Sequence, residues 1–274
     1  MTGTDGQPDE VRYGEWVAVR RQGPGNGIAE LVLDRPRAMN AVSTALARAI
    51  GAACAELSAD GTVRVVVLTS TAGRAFCVGA DLKERNALSD AELAAQRPVA
   101  RAAYGGVLAL PVPAIAAVHG FALGGGCELA LSCDLIVADE TAVLGLPEVT
   151  VGVIPGGGGT QLLPRRVGAA RAAELIFTGR RVEAAEAREL GLVDRLTPPG
   201  RARAEALALA ARIAANSPVG VRAAKRALRT GWGQDLATGL EIEDAAWRTA
   251  AFSPDRAEGV AAFNEKRDPV WPTP

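Results

Sequence analysis

The spacing of hydrophobic positions changes several times along the chain. Residues 15–20 (EWVAVR) and 28–34 (IAELVLD) are short alternating or β-branched runs on either side of the glycine-rich RQGPGNG, which predicts a hairpin. Residues 40–57 are alanine-rich and read as a helix. Residues 63–70 (VRVVVLTS) have the β-branched density of a buried strand. Ser89 and Glu92 form a capping box that predicts a helix running to about Leu110, where LPVPA stops it. AIAAVH then reads as a second buried strand ending at Gly120, CELALSC as a helix and DLIVAD as a strand. Residues 174–192 contain a helix closed by Gly191.

Beyond about residue 200 the strand pattern disappears and four helix-like segments follow. Ser217-Pro218 and Ser253-Pro254 each read as an N-cap followed by proline in the first turn. The organisation expected is a loose tail over residues 1–14, an α/β core over 15–199 and a helical region over 200–274.

The chain has 274 residues, 49% of them hydrophobic and 22% charged, with a net charge of −1, a balance that points to neither nucleic acid nor an anionic membrane. The four cysteines form no CxxC pair and His119 is the single histidine, so neither a zinc site nor a disulfide framework is expected. Cys77, Cys127 and Cys133 read as apolar fillers, and His119 as a structural side chain. The first ten residues are polar and acidic, unlike a targeting peptide, and the apolar runs are broken by Gly, Pro and charges, so no membrane span and a cytoplasmic location are expected.

Three stretches combine backbone freedom with carboxylates. AFCVGADLKER (residues 75–85) puts the N–H groups of Gly79, Ala80 and Asp81 just after a strand, a common position for ligands. FALGGGCELAL (121–131) aims glycine N–H groups from a helix start and carries Glu128 about one turn in; a helix-end carboxylate stabilised by the dipole is the alternative reading of that residue. LGLPEVTVGVIPGGGGTQLLPRRVG (144–168) carries Glu148 after a proline, then four glycines, and leads into a helix near Thr160; the glycines could serve only as a turn. No Walker A lysine follows these glycines, no GxGxxG links a strand to a helix and no GxSxG occurs.

Together these three stretches resemble the enoyl-CoA hydratase/isomerase (crotonase) family, and the likeness runs from LDRPRAMNAVS to AAFNEKR. GADLKER, IPGGGGTQ, TGLEIEDA and DRAEGVAAFNEKR are particularly similar to methylglutaconyl-CoA hydratases. The resemblance implies a crotonase-like α/β spiral of repeated ββα units with a C-terminal helical oligomerisation region, assembled as a trimer or a dimer of trimers. It implies that the backbone N–H groups of Ala80 and Gly125 form an oxyanion hole for an acyl-CoA thioester. It makes Glu128 the base toward water and Glu148 the proton donor to C2 of an enoyl-CoA; the retention of both carboxylates favours hydration over isomerisation. Lys83 resembles a CoA phosphate contact, with Asp81 and Leu82 alongside, and Lys266 a C-terminal phosphate contact that the resemblance allows to come from a neighbouring subunit; Arg37 is a weaker third. Coenzyme A is then part of the substrate and no separate cofactor or metal is implied.

Alternatives are methylglutaconyl-CoA hydration, Δ3–Δ2 isomerisation, a non-catalytic acyl-CoA binder and RNA binding. Some relatives bind AU-rich RNA through a lysine-rich helix, but the matching stretch here has only Arg48 as a base. The acyl pocket is expected along residues 86–104, with Arg85, Arg97 and Arg101 available for a distal carboxylate. Leu162 stands where relatives often carry arginine in TQRLPR.

Overall fold

β-branched and alanine-rich segments build two sheets in the computed structural model, which describes residues 9–23 and 25–273. In chain order the strands are β1 (Glu10–Tyr13), β2 (Val17–Arg21), β3 (Ile28–Leu33), β4 (Val65–Ser70), β5 (Ala75–Cys77), β6 (Ala114–Val118), β7 (Phe121–Leu123), β8 (Leu135–Asp139), β9 (Val143–Gly145), β10 (Val182–Glu183) and β11 (Arg195–Thr197). The larger sheet has the order β1-β2-β3-β4-β6-β8-β11 and the smaller one β10-β9-β7-β5. In the larger sheet β1, β2 and β3 pair antiparallel, as the hairpin pattern requires, and the pairings from β3 through β4, β6 and β8 to β11 are parallel; in the smaller one β5, β7 and β9 pair parallel and β10 pairs antiparallel with β9.

The helices are α1 (Thr44–Ala59), α2 (Leu82–Asn86), α3 (Asp90–Leu108), α4 (Gly125–Ser132), α5 (Gly159–Val167), α6 (Ala169–Thr178), α7 (Ala184–Glu189), α8 (Ala202–Ala214), α9 (Pro218–Gly231), α10 (Leu236–Ala251) and α11 (Pro254–Glu265). Each of the pairs β4-β5, β6-β7 and β8-β9 gives one strand to the large sheet and the next to the small one, then passes into a helix. Successive units advance the same way along both sheets, which is the ββα spiral that the resemblance implies.

One face of the large sheet packs Leu31, Leu68 and Ala116 against Leu46 and Ile50 of α1 and the inward side chains of α3 and α4. The other face packs Val65, Ile115 and Val137 against Ala206, Ala210 and Ala214 of α8, where the small side chains of one helical stripe let the helix lie close. Lys225 of α9, only 8% exposed, donates to Val112 O and to Asp134, which also pairs with Arg229, so α9 is tied to the start of β6 and β8.

Several expectations change at short range. Of the tail expected over residues 1–14, residues 1–8 lie outside the described residues, whereas Glu10–Tyr13 forms β1 against β2. The helix expected at 40–57 starts at Thr44 under the Ser43 cap. Asn40 takes φ +55 instead, and its amide donates to Ser70 Oγ and Phe76 O. The segment 174–192 holds two helices, because Gly179 at φ +64 ends α6 before β10 turns into α7. The capping box at Ser89 forms, with both reciprocal bonds. Ser217 caps α9 through its side chain, whereas Ser253 Oγ donates back to Ala250 O and leaves α11 without a side-chain cap.

Candidate active site

The three parallel strands of the small sheet end on the three stretches singled out above. β5 leads to Gly79 and Ala80, β7 to Gly124 and Gly125, and β9 to Pro147 and Glu148. A ligand site beyond the carboxyl ends of parallel strands is what this architecture favours. The cavity there has a volume of about 600 Å3, and Ala80, Gly125, Glu128 and Glu148 all line it.

The glycines are explained by close backbone approach. Gly79 has φ +86, and a Cβ on it would come 2.9 Å from the amide nitrogen of Gly125. A Cβ on Gly126 would lie 1.9 Å from Cys77 O, so the first turn of α4 can sit on the end of β5 only with glycine there. Among the described residues, the N–H groups of Ala80 and Gly125 have no protein acceptor. Gly125 is also the first residue of α4, where the helix dipole is positive.

Glu128 projects from the first turn of α4 and is 3% exposed. Its Oε1 accepts from Gly157 N at 2.6 Å and Gly159 N at 2.9 Å. Burial raises its pKa, while these two N–H donors and the charge of Arg97 oppose the rise by stabilising the carboxylate. Glu148 opens a short 3-10 helix after Pro147. Burial raises its pKa to about 7, with the Glu128 charge adding to the rise and Arg85 opposing it. Its Oε2 is buried and makes no hydrogen bond among the described residues. Two carboxyl groups thus share one cavity: burial raises both, Glu148 to about 7, while the Gly157 and Gly159 N–H groups favour the charged form of Glu128.

The glycine run does more than turn the chain, since two of its N–H groups hold Glu128, a role that spacing could not reveal. The sequence points to Tyr104 only as the end of the lining segment 86–104. It is buried against the site, and a Cβ on Gly125 would meet its hydroxyl at 2.3 Å. Arg85 and Arg97 line the cavity, whereas Arg101 is not among its lining residues.

The proposed CoA contacts are more scattered. Leu82 lines the cavity and is exposed. Lys83 is exposed at the start of α2. The Asp81 carboxylate caps α2 through the N–H groups of Lys83 and Glu84 and pairs with Arg35 at 2.6 Å, so it is committed to structure. Arg37 lies exposed in the Pro36–Ala38 turn and Lys266 ends α11 at φ +54; neither lines the cavity within one chain. His119 contacts Ala72 O at 2.9 Å. Burial pushes the Cys77, Cys127 and Cys133 thiols up to about 12. Leu162 is half-buried against the core. No group of three or more His, Cys, Asp or Glu that could hold a metal occurs among the described residues.

A spiral of ββα units with paired carboxylates and free amides at its strand ends defines a class of acyl-CoA-processing proteins, and comparison with known proteins identifies it. Residues 23–274 match the family model described as enoyl-CoA hydratase/isomerase, and the chain belongs to that family. The enoyl-CoA hydratase domain-containing protein 2 of Mus musculus mitochondria is 47% identical over 253 residues, covering 91% of this chain and 86% of the relative. The mitochondrial methylglutaconyl-CoA hydratase of Rattus norvegicus is 40% identical over 271 residues, covering 97% and 86%. The crystal structure of an enoyl-CoA hydratase from Bacillus anthracis superimposes with a TM-score of 0.91 at 42% identity, covering 94% of this chain and 99% of that one. The fold is therefore the crotonase fold, and the chain is an enzyme of that superfamily acting on acyl-CoA thioesters.

Proposed function

We propose that the protein is an enoyl-CoA hydratase that adds water across the C2–C3 double bond of a 2-enoyl-CoA. The observation that carries this reading is the pairing of Glu128 and Glu148 in one cavity with the amides of Ala80 and Gly125. Glu128, held as a carboxylate by Gly157 and Gly159, takes a proton from water as oxygen bonds to C3. The electron pair of the double bond moves toward the thioester oxygen, where the Ala80 and Gly125 N–H groups stabilise the developing charge; one such donor is worth about 3–4 kcal/mol. Glu148 then gives its proton to C2. Coenzyme A belongs to the substrate, and the chemistry needs no other cofactor. Lys83, and Lys266 or Arg37 across a subunit contact, would meet the CoA phosphates.

Methylglutaconyl-CoA hydration is the second reading. It is favoured by Arg85, which lines the cavity and makes no side-chain hydrogen bond among the described residues, so its guanidinium is available for a distal carboxylate. Hydration rates for crotonyl-CoA, longer enoyl-CoAs and 3-methylglutaconyl-CoA, with isomerisation of a 3-enoyl-CoA as the control, test both readings. Hydration of at least one 2-enoyl-CoA faster than isomerisation is expected. Isomerisation alone would replace hydration, and no turnover would leave an acyl-CoA binder.

A further inference from the structure

We infer that Arg97 is a positioning residue for Glu128, acting through the single peptide unit that joins Gly156 to Gly157. Arg97 Nη2 donates to Gly156 O at 2.6 Å, and Gly157 N donates to Glu128 Oε1 at 2.6 Å. That carbonyl and that N–H are the two ends of one planar amide, so the guanidinium and the carboxylate are bonded to opposite ends of the same dipole. A cation on the carbonyl oxygen draws electron density from the nitrogen and makes its N–H a stronger donor to Glu128. The same bond fixes the plane of a peptide within four consecutive glycines, whose backbone is otherwise the least restrained of any residue type.

Packing around the peptide fits this role. A Cβ on Gly156 would lie 2.8 Å from Arg97 Nη1, and a Cβ on Gly157 would lie 2.8 Å from Glu128 Oε2 and 2.7 Å from the Tyr104 ring. Glycine at 156 therefore admits the guanidinium, and glycine at 157 admits the carboxylate. Arg97 and Tyr104 both come from α3, the helix that walls the cavity, so the acyl pocket and the placement of Glu128 are mechanically joined. The titratable and charged groups around Glu128 are Arg97 and Tyr104 from α3, Glu148 after β9 and the Cys127 thiol of its own helix; Arg85 of α2 acts on Glu148 and Tyr104. Among these, Arg97 is the cation that acts directly on Glu128 and is bonded to the peptide holding it.

The inference rests on the reading of Glu128 as a base, and its test separates the two. Arg97→Gln and Arg97→Lys are compared with the wild type in the pH profile of kcat and KM for crotonyl-CoA. The Glu128 carboxyl is titrated in parallel by carbon NMR, with Glu128→Gln giving the assignment. In Arg97→Gln the acid limb and the Glu128 titration should both move to higher pH, kcat on that limb should fall about ten-fold, and KM should change little. Arg97→Lys should restore most of the loss. An unchanged Glu128 titration in Arg97→Gln, or a rise in KM with an unmoved acid limb, would overturn the role. Should the wild type hydrate nothing, the function fails while the titration still decides the action of Arg97.

Discussion

At the scale of single residues, the proposed chemistry depends on two glutamates in different surroundings. Glu128 has two backbone donors and a nearby guanidinium, whereas Glu148 has a buried oxygen with no partner among the described residues. The hydration proposed above needs Glu128 ionised and Glu148 protonated, so the rate should fall on the acid side as Glu128 gains a proton. It should fall on the basic side as Glu148 loses one near pH 7. A measured kcat profile is expected to be bell-shaped, and Glu148→Gln should remove its basic limb. The same shift bears on stability. The folded pKa of Glu148 lies above its ordinary 4.5, so its favourable contribution is intact below about 4.5 and is lost as pH rises through about 7. Glu148→Gln should therefore gain stability relative to wild type between pH 5 and pH 8 in urea titrations, and a constant difference would argue against the shift. The paired carboxylates and the glycines were legible in the sequence because they lie within short motifs. Arg97 and Tyr104 were not legible as partners of Glu128, since their contacts arise only when α3 folds over the glycine run.

At the scale of elements, legibility followed length. β3, β4 and β6 announce themselves through runs of buried apolar residues, and α3 through the reciprocal bonds of its capping box. β5, β7 and β9 have only three residues each, too few for any period to emerge, yet they form the small sheet that aims the site. β1 escaped for a different reason: its side chains are mostly exposed, so no hydrophobic alternation marks it. The contact that aligns these short strands with the active site is the seat of α4 on β5. Gly126→Ala places a methyl group 1.9 Å from the Cys77 carbonyl oxygen. Because backbone stands on both sides, the substitution should cost about 3 kcal/mol or more and should lower activity with stability, measured by denaturant unfolding. Retention of both would mean that α4 can shift without consequence for the site.

At the scale of the whole molecule, the C-terminal helices leave several large apolar side chains exposed in the single chain. Leu236 is 78% exposed, Phe252 77% and Phe263 83%, on or beside α10 and α11. We propose that copies of the chain bury these residues as a trimer or a dimer of trimers, the assembly that the resemblance implies. Light scattering should give a multiple of three chains, and Phe263→Glu should weaken it; a monomer at micromolar concentration would contradict the assembly. The proposed reaction is decided by the steady-state hydration of the preferred enoyl-CoA by wild type, Glu128→Gln, Glu148→Gln and the double variant. Each single variant should lose about 100- to 10,000-fold in kcat, and the double variant should lose far less than the product of the two, because both residues serve one proton relay. Near wild-type hydration by either single variant, with the fold intact, would contradict the account.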